Sequence, residues 1–171
     1  MNPSALKRLK YWWAACTGTV LIFGTLMHFV YHWSGGNKII GLFSPVSEST
    51  WEHLKMLFYP MLLVILIGYT FFEHQYPGLL FAGTLGLCAG LAAIPVIFYT
   101  YTALLGHNIL IFDILTFAVS VLLANILGYV IMRSRLHPLP DILCLLILTL
   151  LTAAFMIFTY APPDFFIFDA P

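Results

Sequence analysis

The chain has 171 residues, of which 61% are hydrophobic and 8% charged, and its formal net charge is zero. A globular domain carries roughly a quarter charged residues, so these few charges cannot clothe a water-soluble surface. The balanced charge also offers no basic face for nucleic acid, which leaves the lipid bilayer as the partner that composition implies.

Crossing a hydrocarbon core takes about 20 apolar residues, and five stretches qualify: roughly 12–33, 54–72, 78–100, 109–132 and 139–160. The expected fold is therefore all-α, a polytopic membrane helix bundle of five transmembrane helices forming a single integral membrane domain over 1–171. The first stretch follows Lys7, Arg8 and Lys10 as a secretion signal would. It ends, however, in His32-Trp33-Ser34-Gly35-Gly36 with no small-x-small cleavage pattern, and it reads as an uncleaved span. Trp12 and Trp13 mark one of its interfaces and Trp33 the other.

Before the second span, Ser49 and Glu52 stand at capping-box spacing, so a helix is expected to begin there. On that helix Glu52, Lys55 and Tyr59 share one face, while Ser49 and His53 share another. Pro60 and Pro95 fall inside the second and third spans and predict kinks. The third span carries Ala82, Gly86 and Gly90 at intervals of four, a ridge of small residues that lets a neighbouring helix come close. Ser120 and Asn125 in the fourth span are expected to hydrogen-bond across helices. Cys16, Cys88 and Cys144 all lie within spans without a CxxC pair and read as small packing residues. The tail from Ala161 to Asp169 is too short to cross, and its bulky apolar residues predict that it folds back onto the interface.

Positively charged loops stay in the cytoplasm. With the N-terminus inside, Lys7, Arg8, Lys10, Arg133 and Arg135 are cytoplasmic and only Lys38 and Lys55 are outside. That five-to-two bias predicts an N-inside, C-outside multi-pass protein of the cell inner (plasma) membrane.

The groups able to do chemistry gather on the predicted outer side. His28 and His32 lie four apart on one helical face, Glu48, Glu52 and His53 follow in the connecting segment, His107 sits in the next outer loop, and Asp113 lies just inside the fourth span. Ionisable residues within membrane helices are costly and face the bundle interior or a water-filled cavity; His28 and Asp113 fit best. Paired histidines one turn apart suit one metal ion. The expected metal set is His28, His32 and Asp113, with zinc or another divalent metal as cofactor, and Glu48, Glu52 and His53 as catalytic residues. Glu48, Glu52, His53 and His107 are alternative ligands. A second alternative is purely structural, with these groups tying the helix ends together. Ser49 and His53 oriented by Asp113 would form a nucleophilic arrangement in principle, but a capping role explains Ser49 more cheaply. Glu48 stands out because capping does not require it.

The block Gly41-Leu42-Phe43-Ser44-Pro45-Val46-Ser47-Glu48-Ser49-Thr50-Trp51-Glu52-His53-Leu54-Lys55 resembles one found after the first span in an uncharacterised family of small bacterial multi-span membrane proteins. His28-Phe29, Phe98-Tyr99-Thr100-Tyr101-Thr102 and Phe158-Thr159-Tyr160 with Pro162-Pro163 extend the resemblance along the chain. It implies the topology and a shared outer polar site, without an activity. Glu48, Trp51 and His53-Leu54, with His28-x-x-x-His32, also resemble the metal-dependent membrane hydrolases that include alkaline ceramidases and the progestin and adiponectin receptors. That likeness implies metal-dependent hydrolysis, but the order along the chain differs and two spans are missing.

Three functions are compatible with these features. The first is a metal-dependent membrane hydrolase or transferase acting on a lipid-like substrate. The second is a small-solute or cation binding or transport protein, which with so few spans would need a homo-oligomer or a membrane partner. The third is an accessory subunit of a membrane complex.

Overall fold

The computed structural model describes residues 3–134, 136 and 138–170. Arg135, counted above among the cytoplasmic cations, lies outside the described residues. Helices run over Pro3–Trp33 (α1), Lys38–Gly41 (α2), Thr50–Phe72 (α3), Leu79–Leu105 (α4), Leu110–Arg133 (α5) and Asp141–Tyr160 (α6), with a 3-10 turn at Phe166–Phe168, and no strand occurs among the described residues. Five of these helices are long and apolar enough to span a membrane. The protein is an all-α membrane bundle.

The helices outrun the apolar stretches where polar residues continue them. α1 begins nine positions before 12 because Lys7, Arg8 and Lys10 are good helix formers, and α4 runs on to Leu105, where Gly106 stops it with φ +79°. Both α3 and α4 run unbroken through Pro60 and Pro95.

The two central helices are α3 and α4, with 56% and 61% of their most apolar windows buried, against 22–28% for α1, α5 and α6. The predicted small-residue ridge explains the tightest contact. A Cβ on Gly86 would collide with the Ala124 carbonyl of α5, and one on Gly90 would meet Leu57 and Ala124. In a bilayer such close approach replaces the hydrophobic drive that joins helices in water. Ser120 and Asn125 behave differently from expectation. The Asn125 amide donates to Val121 O on its own helix at 2.9 Å, and the Ser120 hydroxyl has no partner. The α4 contact is so close that backbone and small side chains fill it, leaving these polar groups without an acceptor across the interface.

α1 lies between α3 and α5. Its Gly24 meets Met56 O of α3 and the Phe117 ring of α5, and Trp13 covers Gly128 of α5. Position 13 thus pairs with 128 and 24 with 117, eleven residues apart on each antiparallel helix. Four residues further along, His28 stands level with Asp113. One end of the bundle therefore collects the end of α1, residues 34–49, the α4–α5 loop and the tail.

The tail folds back as expected. Phe168 packs on Trp51 with ring centroids 4.9 Å apart, and Phe166 packs on Tyr99 at 5.0 Å.

Candidate metal centre

The site is built by the start of α3 and the segment leading into it. Ser49 caps the helix by accepting a hydrogen bond from Glu52 N at 3.3 Å. This fixes the first turn, and His53 one turn on reaches back to place Nδ1 2.9 Å from Ser49 O. A carbonyl only accepts, so Nδ1 donates there, and Nε2 is the ring nitrogen left to meet a ligand. Nε2 faces Glu48, 3.5 Å from Oε2. From α1, His28 brings its ring to 5.3 Å from that of His53, centroid to centroid, and its Nδ1 is buried without a hydrogen-bond partner.

One ligand atom from each of His28, Glu48 and His53 lies within 4.8 Å of the others. A proton on Nε2 makes this contact an ion pair; without one, two acceptors face each other at 3.5 Å, an arrangement that a metal cation between them satisfies. Two ligands on a tetrahedral zinc ion with bonds of about 2.0–2.1 Å stand about 3.3 Å apart, close to the observed gap. Two imidazoles and a carboxylate are a donor set that zinc takes readily, with a fourth position left open. Glu48 is 71% exposed and His53 31%, so that position is accessible.

The expected site residues separate into two groups. His28, Glu48 and His53 come together. His32, one turn beyond His28, is exposed and stands outside the group. Asp113 is level with His28 but turned toward α4: Tyr101 OH donates to one carboxylate oxygen, and the Asn108 amide approaches the other at 3.5 Å. His107 lies in the α4–α5 loop with Nδ1 3.1 Å from Leu105 O. The Ser49–His53–Asp113 nucleophilic arrangement does not form, because His53 meets the Ser49 carbonyl and the Ser49 hydroxyl caps the helix.

Glu52 is buried and committed to structure. Its Oε2 accepts from Lys55 Nζ at 2.7 Å and from Val46 N at 2.9 Å. Lys55, fully buried, also donates to Gly41 O at 3.0 Å and to Thr159 Oγ1 at 2.5 Å. Sequence reasoning placed Glu52 and Lys55 on one face but missed their joint role; the available signal was two opposite charges three residues apart at the head of an apolar helix.

The family of unknown function DUF6512 matches residues 1–170, and the chain belongs to that family. A segment of 111 residues, 62% of the chain, is 29% identical to the heme A synthase of Ehrlichia canis (strain Jake). The chain spans about a third (32%) of that relative's length. No solved structure matches.

Proposed function

We propose that this member of the DUF6512 family is a membrane-embedded metalloprotein in which His28, His53 and Glu48 hold zinc or another divalent cation, and that it acts as a metal-dependent hydrolase or transferase on a lipid-like substrate. The observation that carries the reading is the gathering of one ligand atom each from His28, Glu48 and His53 within 4.8 Å, with His53 Nε2 3.5 Å from the Glu48 carboxylate beside the unpartnered Nδ1 of His28. The Ser49 carbonyl serves as the second-sphere acceptor that fixes a ligating histidine's tautomer and orientation. A zinc ion in such a set lowers the pKa of bound water to about 7 and polarises a carbonyl or phosphoryl oxygen in the open position.

The depth of the site supports a lipid-like substrate. Trp33 follows His28 by five residues, about 7.5 Å along the helix, and tryptophan favours the headgroup level. Phe29 packs edge-on against His28, stacks on Trp33 and is exposed. A polar headgroup at the metal would leave acyl chains lying along Phe29 and Leu26. Charge supports an outward-facing site in the cell inner membrane. With Lys55 buried in its ion pair, the exposed cations among the described residues are Lys7, Arg8, Lys10 and Arg133 at one end and Lys38 at the other.

Elemental analysis of gently purified protein in detergent tests the site. About one divalent metal ion per chain is expected, lost in His28→Ala and His53→Ala and kept in Asp113→Ala. Metal-free native protein, or metal content unchanged by His28→Ala, overturns the reading. The Ehrlichia relative is named for heme A synthesis, and two histidines also suit an iron porphyrin; a Soret absorption band would identify that occupant instead of zinc.

One observation favours a second reading, uptake of a small solute or cation. The hydroxyls of Thr116 and Ser120 and Oδ1 of Asn125 are buried without partners, as groups lining a hydrated path would be. Reaction of cysteines placed along α5 with a water-soluble thiol reagent would support that path, and uniform protection removes it. Uptake would also require a homo-oligomer or a membrane partner, since five spans are few for a lone transporter.

A further inference from the structure

From the same site we infer that the buried Glu52–Lys55 pair is a positioning device that holds Glu48 against the metal; the inference rests on the proposed metal site. Glu48 sits in the middle of the short arch Ser47-Glu48-Ser49, and Glu52 grips both ends of it. Its side chain accepts from Val46 N at 2.9 Å on the near side, and its backbone N–H donates to Ser49 Oγ at 3.3 Å on the far side. In an ordinary capping box the glutamate carboxylate returns to the N–H of the capping serine itself. Here the Ser49 N–H approaches Ser47 Oγ at 3.4 Å, and the carboxylate is free to reach three residues further back. That displacement turns a cap into a clasp around Glu48.

Lys55 makes the clasp rigid. Its ammonium pairs with the Glu52 carboxylate at 2.7 Å, and its other bonds reach the Gly41 carbonyl of α2, the Ser44 carbonyl at 3.5 Å and Thr159 of α6. The chain leading to the arch is thus held from Gly41 to Val46, so Glu48 enters the site with little freedom to lose on binding. An exposed glutamate in an unrestrained loop would surrender that freedom each time it ligated an ion. Helix packing alone does not call for a charged pair here, because well-packed apolar side chains of similar volume replace buried ion pairs at no net cost in many proteins.

The test is zinc affinity by chelator competition in detergent, with thermal unfolding in parallel, for the native protein, Glu48→Gln, the double variant Glu52→Leu with Lys55→Met, and all three substitutions together. The pair variant is expected to fold and to bind zinc about 10- to 100-fold more weakly, the range of losses for outer-sphere partners. Adding Glu48→Gln to it should cost little more, because Glu48 has already been released. Cobalt substituted for zinc should give the same altered visible spectrum in Glu48→Gln and in the pair variant. Native affinity in the pair variant, or losses that multiply in the triple variant, would overturn the inference and leave the metal site standing. No zinc binding by the native protein would overturn the site, and the inference with it. Should the pair variant not fold, Ser49→Gly releases only the far end of the arch at a tolerated capping residue. It must then weaken zinc binding, and native affinity there refutes the positioning role.

Discussion

Replacing Lys55 alone by Met separates the energetics of the clasp from its chemistry. Lys55 is fully buried and Glu52 is 3% exposed, so the substitution strands a carboxylate whose remaining donor is the Val46 N–H. Breaking a buried ion pair by deleting one partner costs about 3–5 kcal/mol. Replacing both members with Met and Leu removes the stranded charge and adds only the Val46 N–H to the unpaired groups, at about 1–3 kcal/mol if water fails to reach it, since the Gly41 and Ser44 carbonyls lose Lys55 in either variant. The single variant should therefore be less stable than the double variant, an inversion that contact counting would not predict. Denaturant titration in bicelles, followed by tryptophan fluorescence, measures it. A single variant within about 1 kcal/mol of native, or a double variant as unstable as the single, would refute the reasoning that Glu52 is a buried charge dependent on Lys55.

Other perturbations test the tail, the site's protons and the Asp113 cluster. Trp51→Ala removes a ring packed on Phe155 at 4.8 Å and on Phe168 at 4.9 Å. It should cost about 3 kcal/mol and open residues 161–170 to limited proteolysis, read by mass spectrometry. Zinc affinity should fall as pH is lowered, because two imidazoles and a carboxylate must give up protons to ligate; chelator competition across a pH series checks the sign. Tyr101→Phe removes a donor to the Asp113 carboxylate and should cost about 1.5–3 kcal/mol with zinc affinity unchanged, since Asp113 lies outside the ligand group.

What the sequence discloses depends on the range of the interaction. Spans follow from local composition, and the start of α3 from local capping chemistry at Ser49, so both are legible. The helix pair α4–α5 is foreshadowed by the spacing of Gly86 and Gly90, although its partner is not. The ligand set is harder to read, because it depends on how three segments meet. His32 shares a helical face with His28, and this local fact points to a pair. In the fold His28 instead meets His53, across the α1–α3 contact, and His32 lies one turn too far out. Asp113 reaches the right level for a ligand, yet Tyr101 and Asn108 hold it on the far side of α5. Glu48 is visible only by elimination, as the acid that capping leaves unexplained.

The meeting of His28 and His53 depends on a residue with no side chain. Gly24 lies one turn below His28, and its α carbon packs directly against the Met56 carbonyl, nearly one turn below His53. A Cβ there would overlap that carbonyl and the tip of the Phe117 ring, neither of which can yield without moving a helix or an aromatic side chain. Gly24→Ala should push α1 outward, costing about 1–3 kcal/mol for overpacking, and draw His28 away from His53. Metal ligation tolerates only about 0.2 Å of error in bond length, so zinc affinity should fall by about 10-fold or more. The control is Gly86→Ala, whose Cβ would strike Ala124 O at the α4–α5 contact. It carries a similar packing penalty at a place that holds no ligand, and it should bind zinc as the native protein does. Equal zinc affinities in the two variants would show that the site tolerates displacement of α1, and the close approach at Gly24 would then serve packing alone.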